Sequence, residues 1–140
     1  MKALFYIMVL VGVQSLCASP SDELLDALVR VESMGVSTAV GDNGHAIGCL
    51  QIHKEVVTDV NRVYGTTYSH SDCKNVEISM DICRKYLLHY GGANASDEKY
   101  SRIWNGGPRG HLKPQTIGYW RKVRDIMTHK NRLSFAGQKL

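Results

Sequence analysis

An amphipathic run that ends on a carboxylate is the feature of this sequence that most restricts the fold. Ser19 can cap a helix here, Pro20 suits the first helical position, and two acidic residues follow in the first turn, where they favour the positive end of the helix dipole. Apolar side chains then recur at helical spacing, and continuing their face by one turn reaches Glu32. The run therefore predicts a helix that packs through one face and carries Glu32 at the end of that face. The apolar members are Leu24, Leu25, Leu28 and Val29.

The rest of the chain predicts further helices and one stretch rich in turns. Gly and Asx residues fill 40–48, and Asp42-Asn43-Gly44 is a tight-turn signal that favours a short hairpin. Further on, Gly91-Gly92 is typical of a helix end, and Ser96 can cap the helix that follows. The sum is a mainly α, small single domain with a short hairpin or Gly-rich loop and a cleft. The later helices are predicted at 53–64, from 75 or 77 to 90, from 96 through 103, and from about 116 onward.

Residues 1–18 are typical of a secretory signal peptide. A short basic start precedes an unbroken apolar run over 3–13, which is shorter than the ~20 residues that a membrane-spanning helix needs. We place cleavage after Ala18 and the folded domain at 19–140; a lipid anchor at Cys17 is disfavoured because Leu16 stands where a small residue is required. The sequence therefore predicts a secreted protein, extracellular or periplasmic, without stable membrane insertion.

Composition narrows the class of partner. A chain of 140 residues is enough for one compact domain, and its formal charge of +4 falls to +3 once Lys2 leaves with the leader. This mild basic excess suits an anionic polymer such as a bacterial cell wall, and equally an ordinary secreted protein. No basic stripe marks a nucleic-acid binder, and no His pair or C-x-x-C marks a metal site. Neither nucleic acid nor a metal or other cofactor is expected.

Three cysteines remain in the mature chain: Cys49, Cys73 and Cys83. An exported protein meets an oxidising environment, so one disulfide with one thiol left over is expected. The sequence does not decide the pairing. Cys73 with Cys83 is favoured because these two residues flank the start of one predicted helix.

Two carboxylates ten residues apart indicate a chemistry. Glu32 lies on the inward face at the end of its helix, where desolvation raises the pKa of a carboxyl group, and Asp42 follows on the tight turn. Two carboxyl groups that face one cleft in different environments are the equipment of glycoside hydrolysis: one protonates the leaving oxygen, and the other acts as base, nucleophile or electrostatic support. Both residues also have a structural interpretation, since Glu32 can turn back to solvent and Asp42 can bond its own backbone.

Four ordered motifs resemble the lysozyme superfamily. They are VESMG, GDNGHAIGCLQIH, RIWNGGPRG and TIGYW, and they extend over about residues 24 to 127. The first two are similar to goose-type lysozymes and soluble lytic transglycosylases, and the last two to invertebrate-type lysozymes. The resemblance implies a lysozyme-like α+β fold and a bacteriolytic muramidase. Its substrate would be peptidoglycan, cut at the β-1,4 bond between N-acetylmuramic acid and N-acetylglucosamine, or a chitin-like oligosaccharide.

The resemblance also implies roles for individual residues. Glu32 matches the general acid, and Asp42 matches a second carboxylate. Tyr119 falls near positions whose tyrosines approach the substrate, although ordinary helix packing explains it equally well. The substrate contacts predicted from the cleft wall, the sugar site and the last helix are Gly48, Gln51, Asn105 and Tyr119.

The chain departs from these patterns at three points, and alternatives follow from them. His53 stands where the goose-type pattern has a second Asp, Trp104 replaces a Tyr and either stacks on a sugar or packs in the core, and most cysteines of the invertebrate type are missing. The alternatives to a hydrolase are a lytic transglycosylase that leaves 1,6-anhydro products, an inactive module that binds cell-wall sugars, and a secreted interaction protein. A monomer is expected.

Overall fold

Helices carry most of the chain, and a small sheet lies between the first two of them. The computed structural model describes residues 19–137, with side chains described as far as 129. The predicted mainly α domain with a short hairpin is confirmed. Its elements are α1 Asp22–Ser33, β1 Val40–Gly41, β2 Ala46–Ile47, β3 Ile52–His53, α2 Lys54–Tyr64, α3 Val76–Gly91, α4 Asp97–Gly106 and α5 Ile117–Gly137.

The structure corrects the start of α1. Ser21, not Ser19, caps the helix, and its hydroxyl accepts a hydrogen bond from the backbone N–H of Leu24 at 3.1 Å. Pro20 is buried ahead of the helix instead of occupying its first turn. With the cap at Ser21, the two acidic residues that follow lie directly in the first turn, where unpaired N–H groups favour negative charge.

Ser96 caps the start of α4, as the sequence predicted, and Asn75 caps the start of α3. The Asn75 side chain accepts from the N–H of Ile78 at 3.1 Å, and Ser96 does the same for Lys99 at 3.2 Å. At the end of α3, Gly92 has a φ of 81°, which a residue without a Cβ adopts at little cost. These caps place both helices close to their predicted bounds.

The apolar stripe of α1 forms the centre of the core. α1 packs against α5, while α4 packs against both α3 and α5. Because the stripe ends at Glu32, the packing that buries the stripe also carries this carboxyl group to the edge of the core. Fully buried side chains of the core include Leu24, Leu25, Leu28, Leu50, Ile52, Ile82, Leu87, Ile103 and Val123.

The sheet has one strand more than the sequence predicted. β2 pairs with β1 as an antiparallel hairpin, and β3 adds a second antiparallel pairing to β2. In this register Gly41, Ala46 and His53 form one row across the sheet. The turn between β2 and β3 needs a glycine at Gly48, because its φ is 82° and a Cβ there would lie 1.8 Å from the carbonyl oxygen of Cys73.

The structure also corrects the predicted disulfide. Cys49, Cys73 and Cys83 are buried as free thiols. Cys73 precedes α3, whereas Cys83 lies in the third turn of that helix. The carbonyl oxygen of Cys73 accepts a hydrogen bond from the Ser79 hydroxyl at 2.6 Å, which places Cys73 beside the first turn of α3.

Of two expectations about export, one concerns the described residues and the other does not. Among the described residues, no helix is both long and apolar enough to cross a membrane. The predicted signal peptide, with cleavage after Ala18, lies outside the described residues and stays a prediction.

Candidate active site

A cavity of about 480 Å³ opens beside the end of α1. Its walls come from α1, the sheet, α3 and α4, so elements distant in the chain meet there. The part of the chain with described side chains holds no group of three or more His, Cys, Asp or Glu residues that could bind a metal ion. Polar and aromatic residues that line the cavity include Glu32, Asp42, Gln51, His53, Trp104 and Asn105.

Glu32 is the partly buried acid of this cavity. Desolvation raises the pKa of its carboxyl group above the ordinary value, while hydrogen bonds from Tyr119 and Trp104 and the nearby charge of His53 act in the opposite direction. The Tyr119 hydroxyl donates to Glu32 Oε1 at 2.6 Å. The net effect is a carboxyl group that keeps its proton to a higher pH than an exposed glutamate does.

The end of α1 holds this carboxyl group in place. Met34 adopts a left-handed conformation with φ 57° and ends the helix two residues after Glu32. Ser33, next to Glu32, donates from its hydroxyl to the carbonyl oxygen of Cys49 at 2.8 Å. This bond ties the helix end that carries Glu32 to the turn between β2 and β3.

Asp42 provides the second carboxylate in a different environment. Its side chain is 62% exposed, and one of its oxygens, Oδ2, lies 3.3 Å from Nε2 of His53. Asp42 and Asn43 both have left-handed backbone, with φ of 50° and 53°. Such conformations are uncommon outside glycine and often occur at functional turns. The structure thus brings a partly buried and an exposed carboxyl group to one cavity, as the spacing in the sequence predicted.

The other predicted contacts lie at different depths. Gln51 and Asn105 line the cavity. Gln51 has a φ of 50°, and its side-chain amide donates to the carbonyl oxygen of Gly48 at 2.9 Å, so Gly48 supports the wall from behind. Gly41 leaves room for the same side chain, because a Cβ there would lie 2.2 Å from Gln51 Oε1. Tyr119 reaches the carboxyl group of Glu32 and not the cavity surface.

One protein-family model matches most of this chain. Its description is "Transglycosylase SLT domain", and it matches residues 17–126. The chain belongs to the transglycosylase SLT domain family. The resemblance to the lysozyme superfamily that the four motifs indicated is confirmed.

Relatives of this SLT-domain protein are lysozymes. A lysozyme of Ostrea edulis is 30% identical over 125 residues, which are 84% of this chain and 89% of the relative. A lysozyme of Magallana gigas is 32% identical over 124 residues, which are 84% of this chain and 88% of the relative. The similarity therefore extends over nearly the whole of both relatives.

Solved structures agree with the lysozyme-like α+β fold. The crystal structure of Tapes japonica lysozyme matches with a TM-score of 0.63 at 24% identity, over 76% of this chain and 89% of that chain. The crystal structure of Aeromonas hydrophila PliI in complex with Meretrix lusoria lysozyme matches with a TM-score of 0.64 at 28% identity, with the same coverage. The predicted fold class of the SLT-domain protein is confirmed.

Two contacts of the site were not predicted. Trp104 was expected to stack on a sugar or to pack in the core, and it forms a hydrogen bond to Glu32. His53 stands where the goose-type pattern has a second Asp, and it faces Asp42. The only sign in the sequence that these two residues matter was that both depart from the related motifs. Their partners lie on other elements, so no local pattern could name them.

Proposed function

We propose that the chain is a secreted lysozyme-type glycosidase that cuts the β-1,4 bond between N-acetylmuramic acid and N-acetylglucosamine in peptidoglycan. Its family and its lysozyme relatives make it a glycoside hydrolase or a lytic transglycosylase. The observation that carries the proposal is the partly buried Glu32, whose desolvation raises its pKa at the edge of a cavity large enough for sugar rings.

Glu32 acts as the general acid in this proposal. Its raised pKa lets it keep the proton to a higher pH than an ordinary glutamate does, and the carboxyl group opens on the cavity where the leaving oxygen would lie. Tyr119 and Trp104 donate hydrogen bonds to this group. These two donors stabilise the carboxylate that remains once the proton has moved to the leaving oxygen, and they fix its direction.

Asp42 is the second catalytic carboxylate in this proposal. It lines the same cavity as Glu32 with a side chain that is 62% exposed, so the two carboxyl groups lie in different environments. From there it can support a water molecule or attack the anomeric carbon directly. Gln51 and Asn105 offer amide groups to the sugar hydroxyl and acetamido groups along the same wall.

A lytic transglycosylase is the second candidate, and the SLT family favours it. Glu32 would then act as acid and afterwards as base, and the substrate's own 6-hydroxyl would attack in place of water. An inactive sugar-binding module is disfavoured, since binding alone does not require a desolvated acid held by two donors. Peptidoglycan or a chitin-like oligosaccharide is the proposed partner in either reaction.

The test is digestion of purified peptidoglycan by the mature protein and by Glu32→Gln, with the soluble fragments identified by mass spectrometry. Loss of the proton donor is expected to cost about 10²–10⁴-fold in rate. Glu55→Gln is the matched control, because Glu55 is an exposed glutamate in the first turn of α2 and does not line the cavity. Reducing ends indicate a hydrolase and 1,6-anhydro ends a transglycosylase; equal rates for wild type and Glu32→Gln would refute the proposal.

The proposed secreted state has its own measurement. Expression with the full leader should release a protein whose first residue is Ser19, read by N-terminal sequencing of the medium or periplasm. Light scattering of the released protein should give the mass of a monomer. A protein retained in the cells with an intact leader would contradict secretion and leave the proposed reaction unaffected.

A further inference from the structure

Charge is divided unevenly along this chain. Residues 99–140 carry ten Lys or Arg side chains and a single acidic one, Asp125, whereas residues 19–98 carry six basic side chains and twelve acidic ones. The net charge is therefore +9 in the last 42 residues and −6 in the 80 residues before them. Segregation of charge between two parts of a chain is typical of proteins that bind a nucleic acid or a membrane surface.

The fold brings part of this positive charge to the outward side of α5. We propose that this side and the turn before it form a surface that adsorbs reversibly to a bilayer rich in anionic phospholipid, without insertion of a helix. This α5 face is defined by four residues, Leu112, Ile117, Arg121 and Arg124. It is separate from the proposed active site, since none of these four described residues lines the cavity.

Helical spacing puts three of these residues in one row. Ile117, Arg121 and Arg124 stand at positions i, i+4 and i+7 of α5, which share one side of a helix, and all three are exposed. Tyr119 and Val123 lie on the inward side of the same helix, where Tyr119 bonds the carboxyl group of the site and Val123 is fully buried. The two arginines therefore project away from the active site and into solvent.

Little negative charge neutralises this row. In the part of the chain with described side chains, no ion pair includes Arg121. Arg124 lies 3.2 Å from Asp125, but both side chains are more than half exposed, and ion pairs of that kind contribute little in water. Lys122 adds a further exposed cation beside Arg121. The charges of the α5 face thus stay available to an anionic partner.

Two exposed apolar side chains belong to the same face. Leu112 is 61% exposed and Ile117 is 37% exposed. The turn that carries Leu112 is braced by hydrogen bonds: its N–H donates to the carbonyl oxygen of Arg109 at 3.0 Å, and the Thr116 hydroxyl donates to the carbonyl oxygen of Gly110 at 2.9 Å. Leu112 is therefore held in solvent by a fixed backbone.

These apolar side chains decide which anionic partner the α5 face fits. A soluble phosphodiester polymer, such as a nucleic acid or a wall polymer, pairs with the arginines but offers nothing to Leu112 and Ile117. An anionic bilayer offers phosphate groups to the cations and a hydrocarbon boundary to the apolar side chains. The same surface repels the acidic part of the chain, which turns the α5 face towards the bilayer.

The first measurement is sedimentation of the mature protein with vesicles made of equal parts phosphatidylcholine and phosphatidylglycerol. Vesicles of phosphatidylcholine alone are the comparison. We expect binding to the anionic vesicles only, and a fall in binding as added salt screens the charges. Equal binding to both kinds of vesicle, or binding to neither, would refute the proposal.

A double variant, Arg121→Gln with Arg124→Gln, removes the two cations of the row. One cation near an anionic membrane surface contributes about fivefold to the partition coefficient, so this variant should bind about 30-fold more weakly. The matched control is Arg62→Gln with Lys74→Gln, which removes two exposed charges outside residues 99–140 and leaves the same net charge. An equal loss in both double variants would show that net charge alone drives binding and would contradict the α5 face.

Replacing Leu112 by Ser separates a bilayer from a soluble polyanion. Vesicle binding should fall by about 5–20-fold, because the leucine side chain loses its burial at the hydrocarbon boundary. Binding to soluble poly(glycerol phosphate), measured by calorimetry, should not change. Val76→Ser is the control, since Val76 is 45% exposed at the start of α3 and lies outside the α5 face. Wild-type vesicle binding by Leu112→Ser would make the face a polyanion site and overturn the bilayer assignment.

Vesicle binding and the proposed reaction can fail separately. Glu32→Gln should sediment with the anionic vesicles as the wild type does, because Glu32 lies in the cavity and not on the α5 face. If this variant kept full activity, the proposed function would fail while the vesicle result stood. If it no longer bound vesicles although folded, the cavity would be the site of adsorption and the α5 face would be refuted.

Discussion

Replacing Tyr119 by Phe tests the centre of the site because it removes one hydroxyl group and leaves the ring in place. This hydroxyl donates to Glu32 Oε1 at 2.6 Å. A hydrogen bond to a charged group contributes about 1.5–3 kcal/mol to stability, and one between neutral groups contributes about 0.5–1.5 kcal/mol. We expect Tyr119→Phe to lower the free energy of unfolding by about 2 kcal/mol where Glu32 is ionised and by about 1 kcal/mol where it is protonated.

The sign of this pH dependence follows from the burial of Glu32. Desolvation raises the pKa of Glu32 above its ordinary value of 4.5, and the bond from Tyr119 opposes that rise. The stabilising contribution of protonated Glu32 is complete below pH 4.5 and is lost as the pH rises through the folded pKa. Removing the hydroxyl raises the pKa of Glu32 further, so the variant loses more stability on the alkaline side.

The assay is urea unfolding of wild type and variant at several pH values across this window. Tyr100→Phe is the matched control, because the Tyr100 hydroxyl donates at the same length, 2.6 Å, to the carbonyl oxygen of Gly92, which does not titrate. Its cost is expected to be about 0.5–1.5 kcal/mol at every pH. An equally constant cost for Tyr119→Phe would show that its hydroxyl is not bound to a titrating Glu32 and would refute the reasoning.

Three further predictions concern the fold around the site. Gly48→Ala should destabilise the protein by more than the ~1–3 kcal/mol of left-handed strain alone, because the new Cβ would also meet the carbonyl oxygen of Cys73. Thermal unfolding measures this loss, and an unchanged Tm would contradict the close approach of the two segments. Asp97→Asn should stabilise the protein near pH 7, because burial and the charge of Glu23 raise the pKa of Asp97. The stabilising contribution of protonated Asp97 is complete below the ordinary pKa of 3.8 and is lost as the pH rises through the folded pKa, so the unfolding curves of variant and wild type should converge at low pH. Thiol titration of the denatured, unreduced mature protein should find all three of its cysteines free, and a single reactive thiol would instead indicate a disulfide.

Local signals account for what could be predicted about the helices. Asn75 and Ser96 cap their helices through bonds that reach only three residues along the chain, so the sequence holds all of their partners. The position of Glu32 could be predicted for the same reason, because helical spacing alone decides which face of α1 it shares. The error at the start of α1 has the same origin, since two serines two residues apart both suit a cap and only packing chooses between them.

The candidate site could be predicted in part. The spacing of Glu32 and Asp42 indicated a shared cleft, and both line one cavity; Gln51 and Asn105 line it too. The partners of these residues could not be predicted. Tyr119 stands 87 residues from Glu32, and nothing in either segment names the other.

Thus the sequence by itself determined the helices, the carboxylate at the end of the first apolar face and the family resemblance, because each depends on neighbours in the chain or on ordered motifs. Only the tertiary structure decided the third strand, the free thiols, the donors on Glu32 and the contact of His53 with Asp42. Those features depend on which elements pack together, since hydrogen bonds and desolvation act over a few ångströms of space, whatever the distance along the chain.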